Sequence, residues 1–191
     1  MRALDRHCPG AHSADRLLEI ATGLGADVPF FLAPEPSVVR GIGEQISPLP
    51  GLPAAWLLLA NPGVSLATAE VFEIFDRSAL ALTLARSRST MRSLDALGAD
   101  PRAAESLTKA FDSGLLVNDL EPVATDLCPP MGELKERLRE LGARWTGMSG
   151  SGATVYGVFD DEGQARSAFE RAKFEAPVWA CVAQTQGGSR A

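Results

Sequence analysis

MGELKERLRELGARWTGMSGSGATVYGVFDDEGQARSAFERAKFEAPVWACVA, residues Met131 to Ala183, switches between two hydrophobic periods, and the order of the switches decides the fold. Met131, Leu134, Leu138 and Leu141 recur three and four apart, after Pro129-Pro130 and before Gly142, which is the spacing of one apolar helix face. On the opposite face Glu133 and Arg137 are spaced for an i,i+4 pair. Arg144 to Met148 then reads as a strand, Ser149 to Gly152 as a turn, and Ala153 to Phe159 as a second strand. A helix over Gly163 to Lys173, with Ala165, Ala168, Phe169 and Ala172 inward, and a last strand, Val178 to Ala183, complete the chain. Helices alternating with strands around a central strand pair predict an α+β fold of the split βαβ type.

Working outward, Ala54 to Ala60 reads as a buried strand stopped by Asn61-Pro62-Gly63. From Leu66 the pattern turns helical (ATAEVFEIF) and stays helix-permissive through Asp112, with a loop near Gly98 to Pro101. Near the start, Ala14 to Leu24 is a helix with Ser13 as N-cap and a core stripe of Leu17, Ile20, Ala21 and Leu24, stopped by Gly23 or Gly25. Ser37 to Ile46 (SVVRGIGEQI) reads as a strand and a glycine bend. Seven of the thirteen prolines fall between Pro29 and Pro62, so the boundary is placed there: residues 1–50 end one domain and residues 51–191 form the next.

The chain has 191 residues, 46% hydrophobic and 22% charged, a composition that excludes a disordered or collagen-like chain. A net charge of -6 argues against nucleic acid as a partner. Cys8, Cys128 and Cys181 are odd in number and far apart, which argues against a disulfide framework and predicts the reducing cytoplasm. No run of about 18 apolar residues and no apolar signal region is present, so neither a membrane span nor export is expected. His7, Cys8 and His12 match no zinc spacing, and C-x-x-C, G-x-S-x-G, Walker and Rossmann patterns are all missing, so no metal site is predicted.

Four stretches could carry chemistry. Asp27 stands alone in LGADVPFFL (Leu24 to Leu32); a carboxylate there either caps a turn or has a partner, and Pro29 holds Val28 extended, which fixes its direction. Ser149-Gly150-Ser151-Gly152 is either a plain strand-to-strand turn or a loop whose backbone N–H groups meet an anion. Asn118-Asp119-Leu120-Glu121 before Pro122, and Gly41-Ile42-Gly43-Glu44, read first as polar turn and glycine bend. Phe72 could stack on a flat ring, although a helical phenylalanine is normally core.

In this order, LGADVPFFL, GIGE (Gly41 to Glu44), NPGVSLATAEVF (Asn61 to Phe72), NDLE (Asn118 to Glu121) and MSGSGATVYGVF (Met148 to Phe159) resemble the GHMP small-molecule kinases, in the branch that acts on a cytidine diphosphate-linked methylerythritol. The resemblance implies the family's C-terminal domain, a ferredoxin-like split βαβ, preceded by the end of its N-terminal S5-like domain. It implies transfer of the γ-phosphoryl group of ATP, with Mg²⁺, to the 2-hydroxyl of that substrate on the non-mevalonate route to isoprenoids. Asp27 matches the family's catalytic aspartate, Thr68 and Phe72 the segment around the cytosine ring, and Ser149, Gly150, Ser151 and Gly152 the loop of the phosphate region. A further glycine-rich G-G-G-S-S loop and a lysine-bearing strand, implied upstream, are not in this sequence, which is therefore expected to lack the N-terminal portion of such a kinase. A ligand-binding module without catalysis, or a GHMP kinase for another small alcohol, are the other readings these residues permit.

Overall fold

The computed structural model describes residues 13–32, 35–48, 54–78, 112 and 117–185, which fall into two compact units, 13–48 in the first and 54–185 in the second. The expected loop near Gly98 to Pro101 and the helical stretch after Ser78 lie outside the described residues, as do His7, Cys8 and His12.

In the first unit, α1 (Ala14–Leu24) starts where Ser13 Oγ accepts a hydrogen bond from the Arg16 amide at 3.2 Å and ends at Gly25. Ala21 is fully buried, but Leu24, expected in the same stripe, is 67% exposed, because it is the last helical residue and the chain turns away beyond it. A 3-10 turn (Pro29–Leu32) follows, then an antiparallel hairpin of β1 (Ser37–Arg40) and β2 (Gln45–Pro48), paired from Ser37↔Pro48 to Arg40↔Gln45. The expected glycine bend closes this hairpin, with Gly41 at φ 69° and Gly43 at φ 101°.

The second unit is built on β3 (Trp56–Asn61), α2 (Thr68–Ser78), α3 (Glu121–Leu127), α4 (Pro130–Glu140), β4 (Trp145–Met148), β5 (Val155–Phe159), α5 (Glu162–Ala172) and β6 (Trp179–Gln184). The sheet order is β4-β5-β3-β6 with every neighbouring pair antiparallel. That is the order of a ferredoxin-like split βαβ: β5 and β3 are the two inner strands, and β4 and β5 are the pair joined by the short Ser149–Gly152 turn.

Period two along β3 and β5 sends Leu58, Ala60, Val155 and Phe159 to the helix side, where they meet Val71, Met131, Leu138, Ala165 and Ala168. The apolar stripe of α4 is as spaced in the sequence, with Met131, Leu134, Leu138 and Leu141 all buried. Other expectations shift. Phe169 is 41% exposed, because α5 approaches the sheet through the small Ala165 and Ala168, and Phe174, just past the left-handed Lys173, packs on the core instead. Arg137 pairs with Glu140 at 3.2 Å rather than with Glu133; exposed pairs of this kind are worth at most about 1 kcal/mol, so small rotamer preferences choose between them. The turn expected at Asn118 to Glu121 is present, but a helix, α3, follows directly with Pro122 in its first turn.

Candidate active site

Asp27 sits in the first unit, on the turn between α1 and the 3-10 segment, and it is exposed. Its carboxylate makes no hydrogen bond or ion pair among the described residues, so it neither caps the turn nor bears the cost of burial weighed from the sequence. The turn itself is held firmly. Val28 N–H donates to the Gly25 carbonyl and Phe31 N–H to the Val28 carbonyl, each at 3.1 Å, and Pro29 is buried. Gly43 of the hairpin lies flat against it: a methyl group there would overlap the Ala26 carbonyl oxygen. Glu44 braces the hairpin in turn by accepting the Ile42 N–H at 2.7 Å. Backbone hydrogen bonds, from Glu44 itself and from Ile42, hold the Glu44 carboxyl below the usual carboxylate range. The GIGE bend thus props the segment that displays Asp27.

The remaining predicted residues lie in the second unit. Thr68, the first residue of α2, and Ser151 are joined hydroxyl to hydroxyl at 2.9 Å. One turn further on the same helix face is Phe72, 47% exposed, because Val71, Ile74 and Phe75 take the positions that pack on the core.

The Ser149–Gly152 loop is closed on itself, with Ser149 N–H donating to the Thr154 carbonyl at 2.9 Å and Gly152 N–H to the Ser149 carbonyl at 3.1 Å. Gly152, at φ 94°, rests on Met148, Leu66 and Met131, whereas Gly150, at φ 59°, borders open space. The N–H groups of Gly150 and Ser151 have no acceptor among the described residues. Two successive free amides beside a left-handed glycine form a concavity suited to an anion.

Two asparagines hold this loop, and sequence reasoning identified neither role. Asn118 Nδ2 donates to the carbonyls of Met148 at 3.2 Å and Gly150 at 2.7 Å, and its Oδ1 accepts the Leu120 N–H at 3.1 Å. Asn61, read only as a strand stop, donates from Nδ2 to Thr154 Oγ1 at 3.0 Å and accepts the Gly63 N–H at 2.8 Å. Beneath them Glu121 and Lys135 form a largely buried ion pair that ties α3 to α4. Burial and, next, the charge of Arg139 press the Lys135 ammonium below the usual lysine range.

Among the described residues no cluster of three His, Cys, Asp or Glu side chains is placed to hold a metal ion. No helix among them is long and apolar enough to cross a membrane.

Residues 93–177 match the family model described as GHMP kinases C terminal. Over this stretch, most of which lies in the second unit, the chain is similar to the C-terminal part of the GHMP kinases. Three of the relatives it is similar to carry the name 4-diphosphocytidyl-2-C-methyl-D-erythritol kinase. The protein of that name from a Geobacter species is 42% identical over 154 residues, covering 81% of this chain and 49% of its own length. That of Granulibacter bethesdensis is 42% identical over 169 residues, 88% of this chain and 51% of its own. That of Nitrobacter hamburgensis is 36% identical over 207 residues, 93% of this chain and 65% of its own. A solved 4-(cytidine 5'-diphospho)-2C-methyl-D-erythritol kinase superposes with TM-score 0.66 at 29% identity, covering 97% of this chain and 62% of that one. A homoserine kinase from Cytophaga hutchinsonii, at 16% identity and TM-score 0.67 over 98% of this chain and 62% of that one, shares the fold. The chain spans about half the length of the first of these relatives.

Proposed function

We propose that this chain is part of an ATP-dependent kinase that phosphorylates 4-diphosphocytidyl-2-C-methyl-D-erythritol at its 2-hydroxyl, a step in making isoprenoid precursors. Its first unit is then the closing part of the kinase's N-terminal domain, and residues 51–191 its C-terminal domain. The observation that carries the reading is the Ser149–Gly152 loop, with two adjacent N–H groups that have no acceptor among the described residues and a hydroxyl link to Thr68, the helix start that also displays Phe72. The names of the relatives point to the same substrate.

In the reaction the substrate hydroxyl oxygen forms a bond to the γ-phosphorus of ATP, the bond from that phosphorus to the β,γ-bridging oxygen breaks, and ADP leaves. Such transfers depend on an oriented nucleophile and on charge compensation more than on covalent help. Asp27 accepts the hydroxyl proton, a role that suits an exposed carboxylate on a braced turn. The amides of Gly150 and Ser151 compensate phosphate charge, and Phe72 with Thr68 receives the cytidine end. Mg²⁺ accompanying the nucleotide would supply further compensation of the phosphate charge.

The test is ADP release with ATP and each of three alcohols: the cytidine diphosphate-linked methylerythritol, homoserine and mevalonate. Turnover confined to the first, lowered about 100- to 10,000-fold by Asp27→Asn with substrate affinity kept, is the expected result. Turnover with another alcohol refutes the substrate, and full turnover in the variant refutes the base.

A further inference from the structure

NDLE is the stretch that the proposed reaction leaves without a part, and Asn118 in it touches the loop directly. The peptide between Gly150 and Ser151 is a planar trans unit, so its carbonyl and its N–H point in opposite directions. Asn118 Nδ2 holds the Gly150 carbonyl at 2.7 Å, and this aims the Ser151 N–H away from Asn118. Turning this peptide over would rotate ψ of Gly150, which a residue without a Cβ tolerates, together with φ of Ser151. Turned over, the same peptide would present a carbonyl oxygen where an anion should sit.

The amide of Asn118 cannot be exchanged end for end. Its Oδ1 is engaged by the Leu120 N–H at 3.1 Å, and the opposite end faces two carbonyl oxygens, those of Met148 and Gly150, which accept and do not donate. Asn118 is seated in turn by the helix that begins three residues later, which the Glu121–Lys135 pair fastens to α4, whose Met131 lies under Gly152.

We propose that Asn118 is a positioning residue that locks the Gly150–Ser151 peptide with its N–H outward and so makes the loop a phosphate site rather than a turn. The proposal rests on the phosphate reading of the loop given above. Its sharpest consequence is an order of variants. Asn118→Asp keeps the shape and the acceptor for Leu120 but sets a carboxylate oxygen against two carbonyls, so it should be worse than Asn118→Ala; a residue that merely filled space would give the reverse order.

The experiment is residue-resolved NMR on the 191-residue chain and both variants. Without ligand, the Ser149 and Gly152 amides, which close the loop, should exchange about tenfold faster in Asn118→Ala and faster still in Asn118→Asp, while amides of α4 and β3 keep their protection. Inorganic tripolyphosphate and ATP should shift the Gly150 and Ser151 amides of the unaltered chain, with affinity falling about tenfold in the alanine variant and further in the aspartate variant. Unchanged loop exchange in both variants, or an aspartate variant equal to the unaltered chain, overturns the role of Asn118. If the anions shift no loop amide in the unaltered chain, the phosphate reading fails, while the ligand-free exchange still decides whether Asn118 sets the loop. Loss of protection throughout the alanine variant leaves the isosteric aspartate variant to decide.

Discussion

Replacing Phe72 by alanine separates a core ring from a binding ring, because the two roles predict opposite patterns of loss. A phenylalanine buried in a core costs about 3–5 kcal/mol when cut to alanine. At 47% exposed, Phe72 is not such a ring. Full burial of a side chain of this size is worth about 1.5–3 kcal/mol, so the covered half contributes about 1 kcal/mol. Alanine's better helix propensity returns about 0.5 kcal/mol in α2. The net destabilisation should be about 0.5–1 kcal/mol, a fall in Tm of about 1–4 °C for a chain of this length. Stacking of a base on an aromatic side chain, in contrast, is worth about 1–3 kcal/mol, which is roughly 5- to 150-fold in affinity. Thermal melting paired with calorimetry against the cytidine diphosphate-linked substrate reads both quantities from one preparation. Small loss of stability with large loss of affinity is expected, and Phe72→Trp should keep the affinity. Destabilisation of 3 kcal/mol or more, on the scale of a core truncation, or an unchanged dissociation constant, would refute the assignment.

Gly43→Ala forces a methyl into the Ala26 carbonyl at φ 101°, so the Asp27 turn must move; displacements of about 1 Å can cost about 100-fold in rate, and kcat should fall with KM for ATP little changed. An unaltered kcat would show that the bend does not support Asp27. Leu138→Ala opens a cavity at a fully buried position facing β5, and urea denaturation should show a loss of about 2–5 kcal/mol. Tyr156 is the chain's one tyrosine, and burial pushes its phenol above 10.0, so absorbance at 295 nm should titrate later than a free phenol and only with unfolding come back to it. The sign for stability follows: above pH 10 the unfolded chain has released a proton that the folded one still holds, so stability falls with rising pH until the folded phenol titrates, and Tyr156→Phe should remove that part of the slope.

Which parts of this molecule could be read in advance depends on how far along the chain their causes lie. The stripe of α4 and the alternation of β5 are set by neighbours three, four or two residues away, and Met131, Leu138, Val155 and Phe159 stand where their spacing puts them. At α5 the same periodicity marks an inward face but not its edge: Ala165 and Ala168 are buried while Phe169, one residue on, is displaced by Phe174 from beyond the helix end. The helix α3 is short, and Pro122 in its first turn reads equally as the end of what precedes it, although proline at a helix start is a known signal. The loop is the most instructive case. Its serines and glycines promise only that the chain can turn, and the sequence leaves turn and anion site open. What favours one over the other is the direction of a single peptide, held by Asn118, which is 32 residues away, at the same loop whose exit is held by Asn61, 93 residues from Thr154. No local pattern encodes such partners. Each asparagine, taken alone, is an ordinary turn residue. In the folded chain Asn118 holds the Met148 and Gly150 carbonyls and Asn61 holds Thr154, while the Gly150 and Ser151 amides have no acceptor among the described residues. The chemistry of this loop is therefore a property of the β4–β5 turn only in the company of α3 and the end of β3, and a fragment carrying the turn alone should not reproduce it.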